Sequence, residues 1–114
     1  MQVVKNEKSV IRTLNIIATS DRGLLDINKK FLNHDYYTDV ITFQNNPEEV
    51  SGEIYLSISR IKDNSSKMKV KLKDELHRVI VHGILHMIGY GDKTEKDARL
   101  MRQKEDYYLN LRAF

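Results

Sequence analysis

The chain has 114 residues, 40% of them apolar and 31% charged, with one Pro and five Gly. That is enough for one hydrophobic core, too short for two packed domains, and unlike a disordered or collagen-like chain. Nineteen Lys and Arg against sixteen Asp and Glu leave a formal charge of +3, so attraction of a nucleic acid would depend on local clustering, and the absence of Cys excludes disulfides, thiolate ligands and a cysteine nucleophile.

The N-terminal stretch 1–10 is polar and lacks the apolar segment of a signal peptide. No run approaches the ~20 apolar residues of a membrane span, so a cytoplasmic location is expected. Thr13 to Thr19 reads as a β-rich strand that ends at Ser20-Asp21, either of which can cap a following helix. From Arg22 to Leu32 the residues Leu24, Leu25, Ile27, Phe31 and Leu32 recur at helical spacing and predict one buried face. Asp39 to Phe43 is a β-branched run, closed by the polar, Pro-interrupted stretch from Gln44 to Glu49. Glu53 to Ser59 alternates, with Ile54, Leu56 and Ile58 on one face, as a half-buried third strand does.

Ile61 to Lys69 reads as a turn or short helix followed by a loop. Lys67, Lys69, Lys71 and Lys73 alternate with Met68, Val70 and Leu72, which predicts a lysine-guarded edge strand; the alternative is an irregular lead into a helix. From Leu72 to Ile88 the apolar residues Leu76, Val79, Ile80, Val81, Ile84, Leu85, Met87 and Ile88 surround the helix axis, so its second half belongs in the core, and Gly89 stands where a C-terminal cap falls. A last helix runs from a Thr94 cap to about Leu111, with Ala98, Met101, Tyr108 and Leu111 inward.

The stretch from His82 to Asp92 carries the most chemistry. Residues four apart on a helix differ by about 40° in direction, so the imidazoles of His82 and His86 can converge on one ion. Gly89-Tyr90-Gly91 then lets the chain turn and bring Asp92 back as a third ligand. The bland alternative has two histidines filling a buried helix, each with one hydrogen bond, and Asp92 capping the last helix. The Gly-Tyr-Gly-Asp continuation favours the metal. His77, about 140° round the helix from His82, is read as non-ligating.

His82-Gly-Ile-Leu-His86-Met-Ile-Gly89-Tyr90 resembles the H-G-x-L-H-L-x-G-Y-D-H signature of the YbeY family of bacterial rRNA-maturation endoribonucleases. Thr38-Asp39-Val40-Ile41-Thr42-Phe43 is similar to that family's T-D-V-L-S-F strand, Ile27-Asn28 with Asp35 keeps its L-N-to-D spacing, and Gly52-Glu53-Ile54 matches its G-D-I strand start. The resemblance spans roughly Leu14 to Met101. It implies an α/β (α+β) domain over residues 1–114, a small mixed sheet with helices packed on it, and a metal site at the end of the central buried helix. It also implies a metal-dependent endoribonuclease acting on single-stranded and ribosomal RNA, with the small ribosomal subunit as partner. One divalent ion is expected, zinc foremost, on His82, His86 and Asp92.

Two positions depart from the family. Its third metal ligand is a histidine where this chain has Asp92, which is still a legitimate zinc ligand but favours oxygen-accepting metals more. Leu32 falls where the family has an arginine associated with the active site, so a phosphate clamp is missing. His34 and Lys93 are the candidate substitutes, and Lys71 and Lys73 are further RNA-contact candidates, against the simpler reading of a solvated loop histidine and edge lysines. Tyr36, Tyr37 and Tyr90 could stack on bases or simply pack. Gly83 stands where zinc peptidases of the H-E-x-x-H type keep a glutamate base, which disfavours peptide hydrolysis. The alternatives are a non-catalytic ribosome- or RNA-associated module with a structural metal, and another metallohydrolase of peptidase-like kind, which Gly83 disfavours. The family's N-terminal strand and helix are expected to be shortened or absent here.

Overall fold

The computed structural model describes residues 11–46 and 48–111. The expected shortening of the N-terminal elements concerns residues outside that range. Strand β1 (Ile11–Thr19) is followed by helix α1 (Asp21–Leu32), strands β2 (Val40–Gln44) and β3 (Val50–Ser57), and helices α2 (Ile58–Met68), α3 (Leu72–Ile88) and α4 (Glu95–Leu111).

The three strands form one mixed sheet in the order β1-β3-β2, with β1 parallel and β2 antiparallel to the central β3. Val50, Ile54 and Leu56 of β3 are buried against Ile61 of α2, against Val79, Val81, Ile84, Leu85 and Met87 of α3, and against Met101 and Tyr108 of α4. The opposite face carries Phe43 and Tyr55, which meet edge to face, and Phe43 meets Phe31 of α1 in the same way. Successive strand residues point to opposite faces, so α1 and the α3–α4 pair cover different sides of the sheet. Gly52 lies in β3 at φ 140°, and a Cβ there would run into the Phe43 carbonyl of the neighbouring strand.

Local signals explain the boundaries. The Ser20 hydroxyl accepts from Gly23 N–H at 2.9 Å and starts α1, and Asn33 closes it at φ 56°. The last turn of α1 is not buried as its spacing predicts. Phe31 and Leu32 are 62% and 38% exposed, and Asn28 takes the inner place, donating to the Tyr36 carbonyl at 2.9 Å. The third strand stops at Ser57, two residues sooner than expected, and the Ser57 hydroxyl accepts from Arg60 N–H and opens α2.

Residues 61–69 are helical almost throughout, and the lysine-rich edge strand does not form. Lys69 ends α2 in the left-handed region at φ 57°, Lys71 is extended, and α3 begins at Leu72. The reason is burial. Met68, Val70 and Leu72 are each more than 40% exposed, so a strand there would gain no apolar cover. The alternative reading, an irregular lead into α3, is the one found.

At the other end of α3, Gly89 turns the chain at φ 126°, its N–H reaching the His86 and Leu85 carbonyls. The Gln44 amide reaches across from β2 and donates to the Met87 carbonyl at 2.7 Å and to the Glu49 carbonyl at 2.8 Å. Helix α4 is capped by Thr94, whose hydroxyl accepts from Asp97 N–H at 3.0 Å. Met101 and Tyr108 are buried as expected, Ala98 is exposed, and the Leu111 side chain lies outside the described residues.

Candidate metal centre

His82 and His86 sit on the last two turns of α3, one turn apart, with their Nε2 atoms 2.9 Å from each other. After the Gly89 turn, Asp92 comes back over them. Its Oδ2 lies 3.5 Å from His82 Nε2 and 3.3 Å from His86 Nε2. One ligand atom from each of the three residues falls within 4.8 Å of the others. Zinc bonds of about 2.0–2.2 Å set tetrahedral ligand–ligand edges of about 3.3–3.5 Å, so this triangle is close to the size a tetrahedral ion requires.

The other ring nitrogens test the fit. His86 Nδ1 lies 2.9 Å from the Tyr90 carbonyl, and His82 Nδ1 lies 2.7 Å from Glu105 Oε2. A carbonyl only accepts, and an ionised carboxylate only accepts, so both Nδ1 atoms carry the proton. In the neutral rings both Nε2 lone pairs then face each other at 2.9 Å. That is repulsive without a cation between them, and it is the orientation that a carbonyl or carboxylate bonded to the far ring nitrogen imposes on metal-binding histidines. The residues fit a divalent ion.

Burial opposes charge on His82, but the hydrogen bond and charge of Glu105, with Asp92 and Asp39 further off, outweigh it and raise its pKa above the ordinary imidazole value. Glu105 is itself held. Arg78 donates to its Oε1 at 3.1 Å and to Asp106 at 2.8 Å. Two open cavities flank the cluster. One, of about 330 Å³, is lined by Asp39, Glu75, Arg78, Arg102 and Glu105, and shares His82 and Asp92 with the cluster. The other, of about 380 Å³, lies on the α1 and β2 side, with Leu32, His34, Tyr36 and Thr42 in its wall beside His82, His86 and Asp92.

The predicted residues divide accordingly. His82, His86 and Asp92 come together, and His77 is not in the group. His34 reaches the second cavity, stacked on Tyr36 with ring centres 5.1 Å apart and bonded to its hydroxyl at 3.0 Å. Lys71 and Lys73 sit at the opposite end of α3, about 15 Å along the axis from His82. Lys93 follows Asp92 as an exposed residue and lines neither cavity. Tyr37 lies under the Arg60 guanidinium, and Tyr90 packs on the core while its carbonyl orients His86. Gly83 has a packing reason for its lack of a side chain: a Cβ there would meet Thr42 and Ile54 of the sheet.

Sequence reading missed Glu105, Arg78, Arg102 and Glu75. A signal for Glu105 exists. It lies four residues after Met101 and three before Tyr108, so an acid interrupts the inward stripe of α4.

The model of the family described as Endoribonuclease YbeY matches residues 1–112. The chain belongs to the YbeY family. Endoribonuclease YbeY of Cytophaga hutchinsonii is 51% identical over 98% of this chain and 80% of its own length. That of Karelsulcia muelleri is 51% identical over 94% of this chain and 77% of its own, and that of Flavobacterium psychrophilum 44% over 96% and 79%. The solution structure of a Thermotoga maritima protein superposes with a TM-score of 0.70 at 32% identity, covering 96% of this chain and 73% of that one. Within the YbeY frame, Asp92 stands beside the two histidines of α3, and Leu32 puts an apolar side chain into the wall of the second cavity. Among the described residues no helix is long and apolar enough to cross a membrane.

Proposed function

We propose that this chain, folded as one domain, is a metal-dependent endoribonuclease that cuts single-stranded RNA. In this reading it serves ribosomal RNA maturation at the small subunit in the cytoplasm. One divalent ion, zinc foremost, is held by His82, His86 and Asp92. The observation that carries the reading is the pair of Nε2 atoms turned toward each other and toward Asp92, with each Nδ1 committed elsewhere. Family membership supports RNA as the substrate.

His82, His86 and Asp92 would hold the ion, which would supply Lewis-acid chemistry at a phosphoryl oxygen when bound. The chain's own residues do the rest. Glu105 and the Tyr90 carbonyl keep the two imidazoles aimed at the cluster. The His34–Tyr36 pair offers a stacking face for an unpaired base in the cavity beside the ligands. Arg102, in the wall of the other cavity, offers the guanidinium that Leu32 does not. Lys93, Lys71 and Lys73 add positive charge along the RNA path, the last two at a distance. RNA carries its own nucleophile in the 2′-hydroxyl, so the absence of a side chain at Gly83, which deprives a peptidase of its base, does not count against this reaction.

Leu32 favours one second reading, an RNA-binding module whose metal is structural. Zinc content and cleavage of a single-stranded RNA, measured for wild type, His86→Ala and Asp92→Ala with and without chelator, separate the two. The endoribonuclease reading expects both variants to lose metal and cleavage together. Cleavage by metal-free protein refutes it, and bound zinc without cleavage supports the module.

A further inference from the structure

Glu105 has an unusual position for a carboxylate. It is 6% exposed, on the face of α4 that buries Met101 and Tyr108. A buried ion pair is weak evidence for stability, because desolvation offsets the attraction. Both oxygens are nevertheless in use: Oε2 accepts a hydrogen bond from His82 Nδ1–H at 2.7 Å, and Oε1 accepts one from Arg78 at 3.1 Å, while the other end of that guanidinium is anchored on Asp106 at 2.8 Å. The chain Asp106–Arg78–Glu105–His82 therefore links the outer surface of α4 to a ring nitrogen of the cluster.

We propose that Glu105 is a positioning residue that fixes His82 as its Nδ1–H tautomer, presenting the Nε2 lone pair to the cluster, and that Arg78 dictates which way the group at position 105 faces. The proposal rests on the metal reading only for its consequence, not for the tautomer itself. Its logic is donor against acceptor. The Arg78 guanidinium has donors only, so whatever group occupies position 105 must turn an acceptor toward it. A carboxylate has a second acceptor left for His82. An amide does not: with its oxygen held by Arg78, its NH₂ faces His82 Nδ1, which must then accept, and the imidazole proton moves to Nε2. There it blocks the position a metal would take.

This gives a pattern that general damage to packing does not. Histidine tautomers are read by ¹⁵N–¹H NMR on metal-free protein at about pH 9, above the ordinary imidazole range. Zinc affinity is read by titration with zinc chloride. Wild type is expected to show His82 as Nδ1–H, and an Nε2–H signal there overturns the proposal without any variant. Glu105→Gln is expected to switch His82 to Nε2–H and to lose about 10- to 100-fold in zinc affinity, the range for outer-shell partners of metal-binding histidines. Adding Arg78→Met frees the amide to turn its oxygen toward His82, so the double variant is expected to regain the Nδ1–H tautomer and part of the affinity. An unchanged tautomer in Glu105→Gln, or equal affinity loss in the single and double variants, overturns the proposal. A wild type that binds no zinc while the tautomer switches as described upholds the role of Glu105 and refutes the metal reading.

Discussion

Gly83 lies between His82 and His86, where α3 crosses the sheet, and replacing it by alanine sets two known effects against each other. A Cβ at this position falls 3.0 Å from Thr42 Cγ2 and 3.1 Å from Ile54 Cδ1. Carbon pairs prefer about 3.5–4.0 Å, so the helix or its neighbours must give by about 0.5 Å. Ile54 is fully buried in the core and has little room to move. Overpacking of this kind costs about 1–3 kcal/mol. Against it, alanine gains about 0.8–1.0 kcal/mol over glycine in a helix interior. Overpacking wins, and Gly83→Ala is expected to lose about 1 kcal/mol, within a range of about 0–2. Urea unfolding followed by circular dichroism, with chelator present so that metal does not contribute, measures it. Gly83→Val, bulkier and without alanine's helix preference, must lose more. A Gly83→Ala protein stabilised by the full helix-propensity gain would refute the seating of α3 described above.

Two further expectations concern the first cavity. Glu75 is 5% exposed with its Oε1 lacking a hydrogen bond, and burial, opposed by Arg78, raises its pKa above the usual carboxylate value. A raised folded-state pKa means stability that is present below the unfolded value and lost as pH rises through the folded one. Glu75→Gln should therefore gain on wild type in urea midpoint as pH rises from about 4 toward neutrality, and parallel pH profiles would contradict this. Arg102→Ala should raise KM for a single-stranded RNA about fivefold, the worth of an exposed ion pair of about 1 kcal/mol, and leave kcat unchanged. An unaltered KM would take Arg102 off the RNA path.

Much of this site was legible because its parts are local. His82 and His86 are set by helical spacing, and the return of Asp92 by the Gly89-Tyr90-Gly91 turn, so eleven consecutive residues contain the whole candidate group. The three strands and the buried second half of α3 follow from periodicity for the same reason. Glu105 was not legible in this way. It meets His82 across 23 residues of sequence, and only the packing of α4 on α3 brings them together. Helix α2 was underread because it is polar on most sides, with Ile61 and Ser65 its buried residues. The lysine alternation from Lys67 to Lys73 misled because period 2 indicates a strand only where one face is buried, and the apolar residues within it are exposed.

The Gln44 side chain has a consequence for how the chain tolerates change in length. Surface turns between strands ordinarily accept inserted or deleted residues. Here the turn is bonded inward: Asn45 N–H reaches the Ser51 carbonyl, the Asn46 side chain accepts from Glu48 N–H, and the Gln44 amide bridges the Glu49 and Met87 carbonyls. A residue added between Asn45 and Glu49 would pull Gln44 off the last turn of α3, next to His86. The connection between α2 and α3, exposed and at the opposite end of α3 from His82 and His86, is free of that constraint. Among otherwise similar chains, length should therefore vary at the lysine-rich connection and hold constant at the turn after β2.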